Sequence, residues 1–272
     1  MTNGLVSVVC ISYKCLFYDP LLTLVCCNNT FIQISDFHGE CDLVLVDIPN
    51  FAGDTGIKIH IRTTSRYEFS YIESAAIMIG EDVLEISSFG QYLLNGVSNA
   101  EMPNMLSGYV VTHTTPRENQ NKFEIDLGNE RHITAKVFKD MVSVNVGVNH
   151  GDDAEFLDAV GLLGHWGNGT RLARDGVTVM SDPNAYGQEW QVLDTEDQLF
   201  ITARKPQFPT KCFLPDLNER TGLRASRRRL GEGISAEAAG VACLHVSKEV
   251  RDMCIFDVIA TNDLTVAHSG VY

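Results

Sequence analysis

The chain has 272 residues, 44% of them apolar and 21% charged, which is the balance of a globular protein and excludes a disordered one. Against 21 Lys and Arg stand 35 Asp and Glu, for a net charge of −14 and a pI of about 4.9. A surface this acidic repels phosphate backbones and anionic lipid; it argues against nucleic acid as a partner and suits calcium, basic partners or plain solubility.

Residues 1–34 match no defined element, and a misannotated start is one reading of them. Leu5–Ile11 and Leu16–Cys27 are apolar, but Lys14 separates them and Asp19-Pro20 interrupts the second. No charged start, apolar centre and small-residue cleavage site can be drawn there, and no apolar run is long enough for a membrane span. The eight cysteines are unevenly spread: Cys10, Cys15, Cys26, Cys27 and Cys41, then none until Cys212, Cys243 and Cys254. Without a Cys-x-x-Cys pair, zinc-ribbon and thioredoxin readings fail. An even count flanking a Cys-free middle fits disulfides that tie domain margins together, with reduced buried thiols as the alternative. Asn28 and Asn168 each open an Asn-x-Thr acceptor for glycosylation, relevant only to a secreted chain.

From residue 35 to 203 the pattern predicts a β domain. Cys41–Ile48 is a short apolar run stopped by Pro49-Asn50, and Ile57–Thr63 alternates apolar with polar at the period of a half-buried strand. Tyr67–Ile72, Ala75–Ile79, Val83–Ile86, Gln91–Leu94, Gly108–His113, Lys122–Leu127, His132–Phe138 and Met141–Val148 follow, separated by Gly, Asn and Pro turns. The last two read as a hairpin, with Val142, Val144, Val146 and Val148 on one face. Short strands at this regular spacing predict a mainly β fold, a two-sheet antiparallel β-sandwich-like domain. Residues 204–234 read as a linker carrying the Arg224 and Arg227–Arg229 cluster. Residues 235–272 read as a small helical, Cys-containing tail, with a helix-compatible start to the stretch Ser235–Val250, Ser235 as its N-cap, and a second helix over Arg251–Thr261.

The chemistry-bearing inventory is thin. No pair among the eight histidines has the i, i+4 spacing of a helical metal site, and His60 reads as a surface or core strand residue. No Gly-x-Ser-x-Gly, P-loop or dinucleotide glycine fingerprint occurs, so no enzyme activity is expected. The glycine-rich stretch Gly161–Gly176 must turn sharply. There Asn168 and Asp175, with Asp152 or Asp153, offer oxygen ligands for calcium, although Arg171 and Arg174 add repulsion. Turn formation is the simpler reading. Trp166, beside His165, could stack on a sugar or a partner residue, whereas Trp190 reads as core.

Three stretches, taken in order, resemble the von Willebrand factor type D domain family. Phe37-His38-Gly39-Glu40-Cys41-Asp42-Leu43-Val44-Leu45 resembles its F-x-G-x-C-x-x-V-L opening. Gly161-Leu162-Leu163-Gly164 resembles its G-L-C-G-N turn, and Tyr186-Gly187-Gln188-Glu189-Trp190-Gln191-Val192 its closing F-G-x-S-W-x-V. Together they span roughly residues 37–193, and the stretch from Ala238 to Ala267 is similar to the Cys-bearing segment that follows such domains. The family's G-D-P-H start has no counterpart before Phe37, Leu163 stands in place of its turn cysteine, and its acid-rich calcium loop is reduced to Gly167-Asn168-Gly169-Thr170.

The resemblance implies a Cys41–Cys212 disulfide, stabilising by roughly 5 kcal/mol in the loop-entropy model; beside it, Cys243 and Cys254 read as a local clasp on the helical tail. It further implies an extracellular or cell-surface module, structural or adhesive, that touches proteins or glycans. Two other expectations stand beside it: a calcium-dependent binding domain using Asn168, Asp175, Asp152 or Asp153, and a secreted hydrolase of unrecognised type built on the His150–Glu155 cluster.

Overall fold

The computed structural model describes residues 39–66, 69–147, 154–164, 170–202, 211–213, 233–248 and 251–269. Within them the chain forms two antiparallel sheets. The first runs β1 (Asp42–Ile48), β2 (Ile57–Arg66), β3 (Phe69–Ile79), β4 (Asp82–Ser87), β5 (Tyr92–Leu94) and β6 (Val97–Ser98). The second runs β7 (Asn104–Leu106), β8 (Tyr109–Thr114), β9 (Gln120–Gly128), β10 (Arg131–Phe138) and β11 (Met141–Gly147). Every strand pairs with its sequence neighbour, so both sheets are simple meanders. Short turns suffice to reverse the chain, and several put residues into the left-handed region, such as Asn95-Gly96 between β5 and β6.

Alternation builds the core as expected. Ile57, Ile59 and Ile61 of β2 and Ala75, Ile77 and Ile79 of β3 face Ile125 of β9, Ile133 and Val137 of β10, and Val142, Val144 and Val146 of β11. β1 departs from alternation because both of its faces are covered; Leu43, Val44, Leu45 and Val46 are all buried, which is why it reads as a continuous apolar run.

Four details differ from the sequence reading. Tyr67–Ile72 and Ala75–Ile79 belong to one strand, β3, because the ladder to β2 continues past Glu73 with a bulge at Arg62/Thr63. β6 and β7 were too short to show a period. A helix, α1 (Pro183–Glu189), lies inside the stretch read as β domain. The signal for it was present: Asp182 accepts a hydrogen bond from the Ala185 N–H as N-cap, and Pro183 occupies the first turn. In the tail, α2 (Ala236–Ala242) is capped by the Ser235 hydroxyl as expected, but it stops at Cys243. α3 covers Arg251–Thr261.

The outer faces of both sheets are partly covered. Residues 193–202 cross the first sheet, where Leu199 and Phe200 pack on Ala76, Met78 and Val83. The buried Glu85 carboxylate accepts from the Ile201 and Thr202 N–H groups, at 2.8 and 3.2 Å. Lys58 bonds Asp197 at 2.7 Å. Across the second sheet, Phe138 and Met141 join Tyr71 in a second apolar cluster with Ala239, Val258 and Val266 of the tail. Lys139 binds Asp263 and Thr265 there. The tail is thus docked rather than loosely appended.

Candidate functional site

β1 is the edge strand of the first sheet, and an uncovered edge invites pairing with other chains. Here two segments far from it and from each other in sequence close it. Val160 exchanges backbone hydrogen bonds with Asp47 at 2.8 and 2.9 Å, and the Leu162 and Leu163 N–H groups donate to the Val44 and Leu45 carbonyls. From the other direction, the Val44 N–H donates to Trp190 O and the Val192 N–H to Asp42 O, both at 2.8 Å. The opening stretch, the glycine turn and the closing stretch therefore meet at one place.

Side chains lock the junction. Tyr186 on α1 donates its hydroxyl to the Gly161 carbonyl at 2.7 Å, and burial pushes its phenol above the usual tyrosine range. Trp190 is buried and donates its indole N–H to Leu172 O at 3.1 Å. Arg174, which the sequence reading counted only as repulsion, is the clamp. It donates to Glu189 O at 2.7 Å and Gln191 O at 2.8 Å, pairs with Glu196, and lies 4.9 Å over the Trp190 ring. A single arginine recurring after a glycine-rich turn carries no periodicity, so nothing local marked this role.

The cysteines at the margins are joined. Cys41 bonds Cys212, with Cα atoms 5.0 Å apart and 171 residues of separation, and Glu40 pairs with Phe213 beside the bridge. Cys243 bonds Cys254, fastening α2 to α3. Cys10, Cys15, Cys26 and Cys27 lie outside the described residues.

Of the four residues offered as calcium ligands, Asp175 is described and stands in a turn. Its carboxylate accepts from the Thr178 hydroxyl and from the Thr178 and Val177 N–H groups, and that Thr178 hydroxyl above all holds it below the usual carboxylate range. Asp152, Asp153 and Asn168 lie outside the described residues, as do Asn28, Trp166, His150, His165 and the Arg224–Arg229 cluster. Glu155, the remaining member of the acidic cluster, binds Arg131 and accepts from the Ala52 N–H; its bond to Arg131 keeps its carboxyl low. Among the described residues no group of three His, Cys, Asp or Glu side chains is arranged to hold a metal ion. No helix among them is long and apolar enough to cross a membrane.

Two further arrangements were not visible in the sequence. His60 is 1% exposed on the outer face of β2, under the 193–202 crossing, and neither ring nitrogen has a hydrogen-bond partner. Burial lowers its pKa to about 3, the Lys58 charge adding to the effect. Lys58 itself sits between two carboxylates. Burial works against its ammonium, but Asp197 and Asp47 outweigh burial and raise its pKa. Asp197 is held low by its bond to Lys58, whereas at Asp47 burial prevails and the carboxyl is raised. The second arrangement is a cleft of about 400 Å³ between β9, β10 and the tail, walled by Arg117, Lys122, Lys136, His245 and His268.

Comparison of the chain with models of known protein families and with curated proteins finds no match.

Proposed function

We propose that this chain is a non-enzymatic extracellular or cell-surface module, of the type D kind its motifs resemble, that acts as a rigid scaffold touching proteins or glycans. The observation that carries the reading is the Cys41–Cys212 bond, which staples the two margins of the β domain beside the edge where the opening, turn and closing stretches meet. Such bonds persist in oxidising compartments and are rare in reducing ones. A meander with its edge strand closed by the chain's own segments keeps its shape and leaves loops to make contacts.

Phe89 is the loop residue best suited to contact. Its side chain is 70% exposed, and its backbone sits at φ 63°, a conformation that costs a bulky residue energy. Its N–H donates to Lys139 O at 2.6 Å, which ties this turn of the first sheet to the β10–β11 hairpin. Two measurements test the reading. Peptide mapping without reduction, on protein from its native source, is expected to return Cys41 and Cys212 in one linked pair; both as free thiols overturns the proposal. Retention of the folded chain on a panel of purified extracellular proteins and glycans is expected for at least one member. Phe89→Gly, which relieves the backbone, is expected to weaken it without lowering Tm. A panel with no retained member also overturns the proposal.

A further inference from the structure

We infer that residues 193–202 form an acid-operated latch: protonation of His60 beneath them lifts the segment from the first sheet and bares the apolar strip of Ala76, Met78 and Val83. In the ladder His60 stands between Val44 of β1 and Ala76 of β3. It is 1% exposed, and both of its ring nitrogens lack a partner. A neutral imidazole has one donor and one acceptor to satisfy, so covering it costs free energy that uncovering returns. A proton on the ring raises that cost, because a buried charge demands a counter-ion or water.

The carboxylates around this face are already committed. Lys58 of β2 bonds Asp197 of the latch at 2.7 Å and lies 3.5 Å from Asp47 of β1. Arg62 of β2 grips Asp42 of β1, and Glu73 of β3 and Glu85 of β4 also act on its charge. Glu85 accepts from the Ile201 and Thr202 N–H groups and from the Thr202 hydroxyl. In the latch, Glu196 pairs with Arg174, and Asp194 is exposed. Alternation puts positions 58, 60 and 62 on one face, so a proton on His60 completes a row of three cations. Burial above all, then Lys58 and Arg174, oppose a charged ring against the pull of Asp197, and they lower its pKa to about 3.

The latch can part from the sheet while its ends stay tied. The Val192 N–H donates to Asp42 O before it, and Cys212 is bonded to Cys41 after it. Among the described residues of 193–202, no main-chain group pairs with the main chain of a strand. The segment is held by side chains instead: Leu199 and Phe200 in a cluster separate from the main core, Arg62 lying 4.4 Å over the Phe200 ring, and the Glu85 carboxylate. Segments held in this way open at lower free energy than core strands. Once lifted, His60 meets water and regains its ordinary value of 6.5. The open form therefore takes up the proton first, and below pH 6.5 each pH unit raises the open-to-closed ratio about tenfold until pH 3. This device concerns the scaffold's own shape and stands apart from the adhesive reading.

Amide hydrogen exchange of the full chain, corrected for intrinsic rates, reads the latch at Ile201 and Thr202, whose N–H groups bond Glu85. Both are expected to exchange faster than the ladder amides of β9 and β10 at every pH. Their opening constant is expected to rise about thirtyfold from pH 7.5 to pH 5, a range above the ordinary carboxylate values. His60→Met and His60→Gln each remove the titrating ring in a different shape, so one serves if the other does not fold. In either, the rise is expected to shrink below about threefold. Latch amides no faster than the ladder show that the segment opens only with the whole molecule and overturn the inference. So does a rise below about threefold in the parent, or a larger one that persists in the variants.

Discussion

A Cβ on Gly161 would lie 2.7 Å from the Leu45 carbonyl oxygen and 3.0 Å from the Val46 α-carbon, so the glycine turn and β1 touch backbone to backbone. Gly161 also has φ +124°, in a region side-chain-bearing residues avoid. Gly161→Ala combines a backbone clash with backbone strain and is expected to cost about 3–5 kcal/mol. Gly176→Ala, at φ +73° with open space around it, meets only the strain and is expected to cost about 1 kcal/mol. Urea unfolding of the two variants side by side separates close approach from turn geometry.

His60 gives stability a dependence on acid. Its folded pKa of about 3 lies below the unfolded value of 6.5, so the unfolded chain takes up the proton first. The stability tied to the neutral ring is complete above pH 6.5 and is lost as pH falls toward 3. Its size is of the order of 5 kcal/mol. His60→Met replaces two unpartnered buried nitrogens with an apolar chain. It is expected to leave the protein at least as stable at pH 7 and to flatten the stability profile between pH 3 and 6.5. An unchanged profile in that variant overturns the assignment.

Arg62 grips Asp42 with two bonds, Nε to Oδ1 at 2.6 Å and Nη2 to Oδ2 at 2.7 Å, and its guanidinium lies 4.4 Å over the Phe200 ring. The Asp42 side chain is 2% exposed. Asp42→Ala removes the two-bond fork from a largely covered guanidinium and is expected to cost about 3 kcal/mol, whereas Asp42→Leu combined with Arg62→Met is expected to cost much less. Arg62→Lys keeps the charge but loses the fork and the stacking, so it does not behave as a conservative change. Denaturant midpoints for the four proteins decide this.

The two disulfides differ in the length of chain they constrain. Replacing Cys41 and Cys212 with alanine is expected to cost up to about 5 kcal/mol, and replacing Cys243 and Cys254 up to about 3 kcal/mol. Loss of the second pair is also expected to expose the α2–α3 segment to limited proteolysis while the sheets persist, because that bridge spans 11 residues within the tail.

Much of the β architecture was legible along the chain. Alternation at Ile57–Thr63 and Val142–Val146 sets which side chains face inward, and a meander pairs each strand with its neighbour, so local pattern and global topology agree. Ser235 as a cap and Arg251–Thr261 as a helix were legible for the same local reason. The break at Glu73-Ser74 misled because a change of polarity looks like a turn until cross-strand bonds are seen to continue through it. β1 looked simply apolar, and only its covering segments explain why.

By itself, then, the sequence determined the strand pattern, the acidic charge, the start of α2 and the span of α3, since these depend on neighbours a few residues away. The tertiary structure alone decided that Arg174 clamps the closing stretch, that His60 lies buried without a partner, and that Lys122 and Lys136 stand face to face beneath His268. Those relationships depend on which distant segments come to lie over each face of the sheets, and a one-dimensional period carries no record of that.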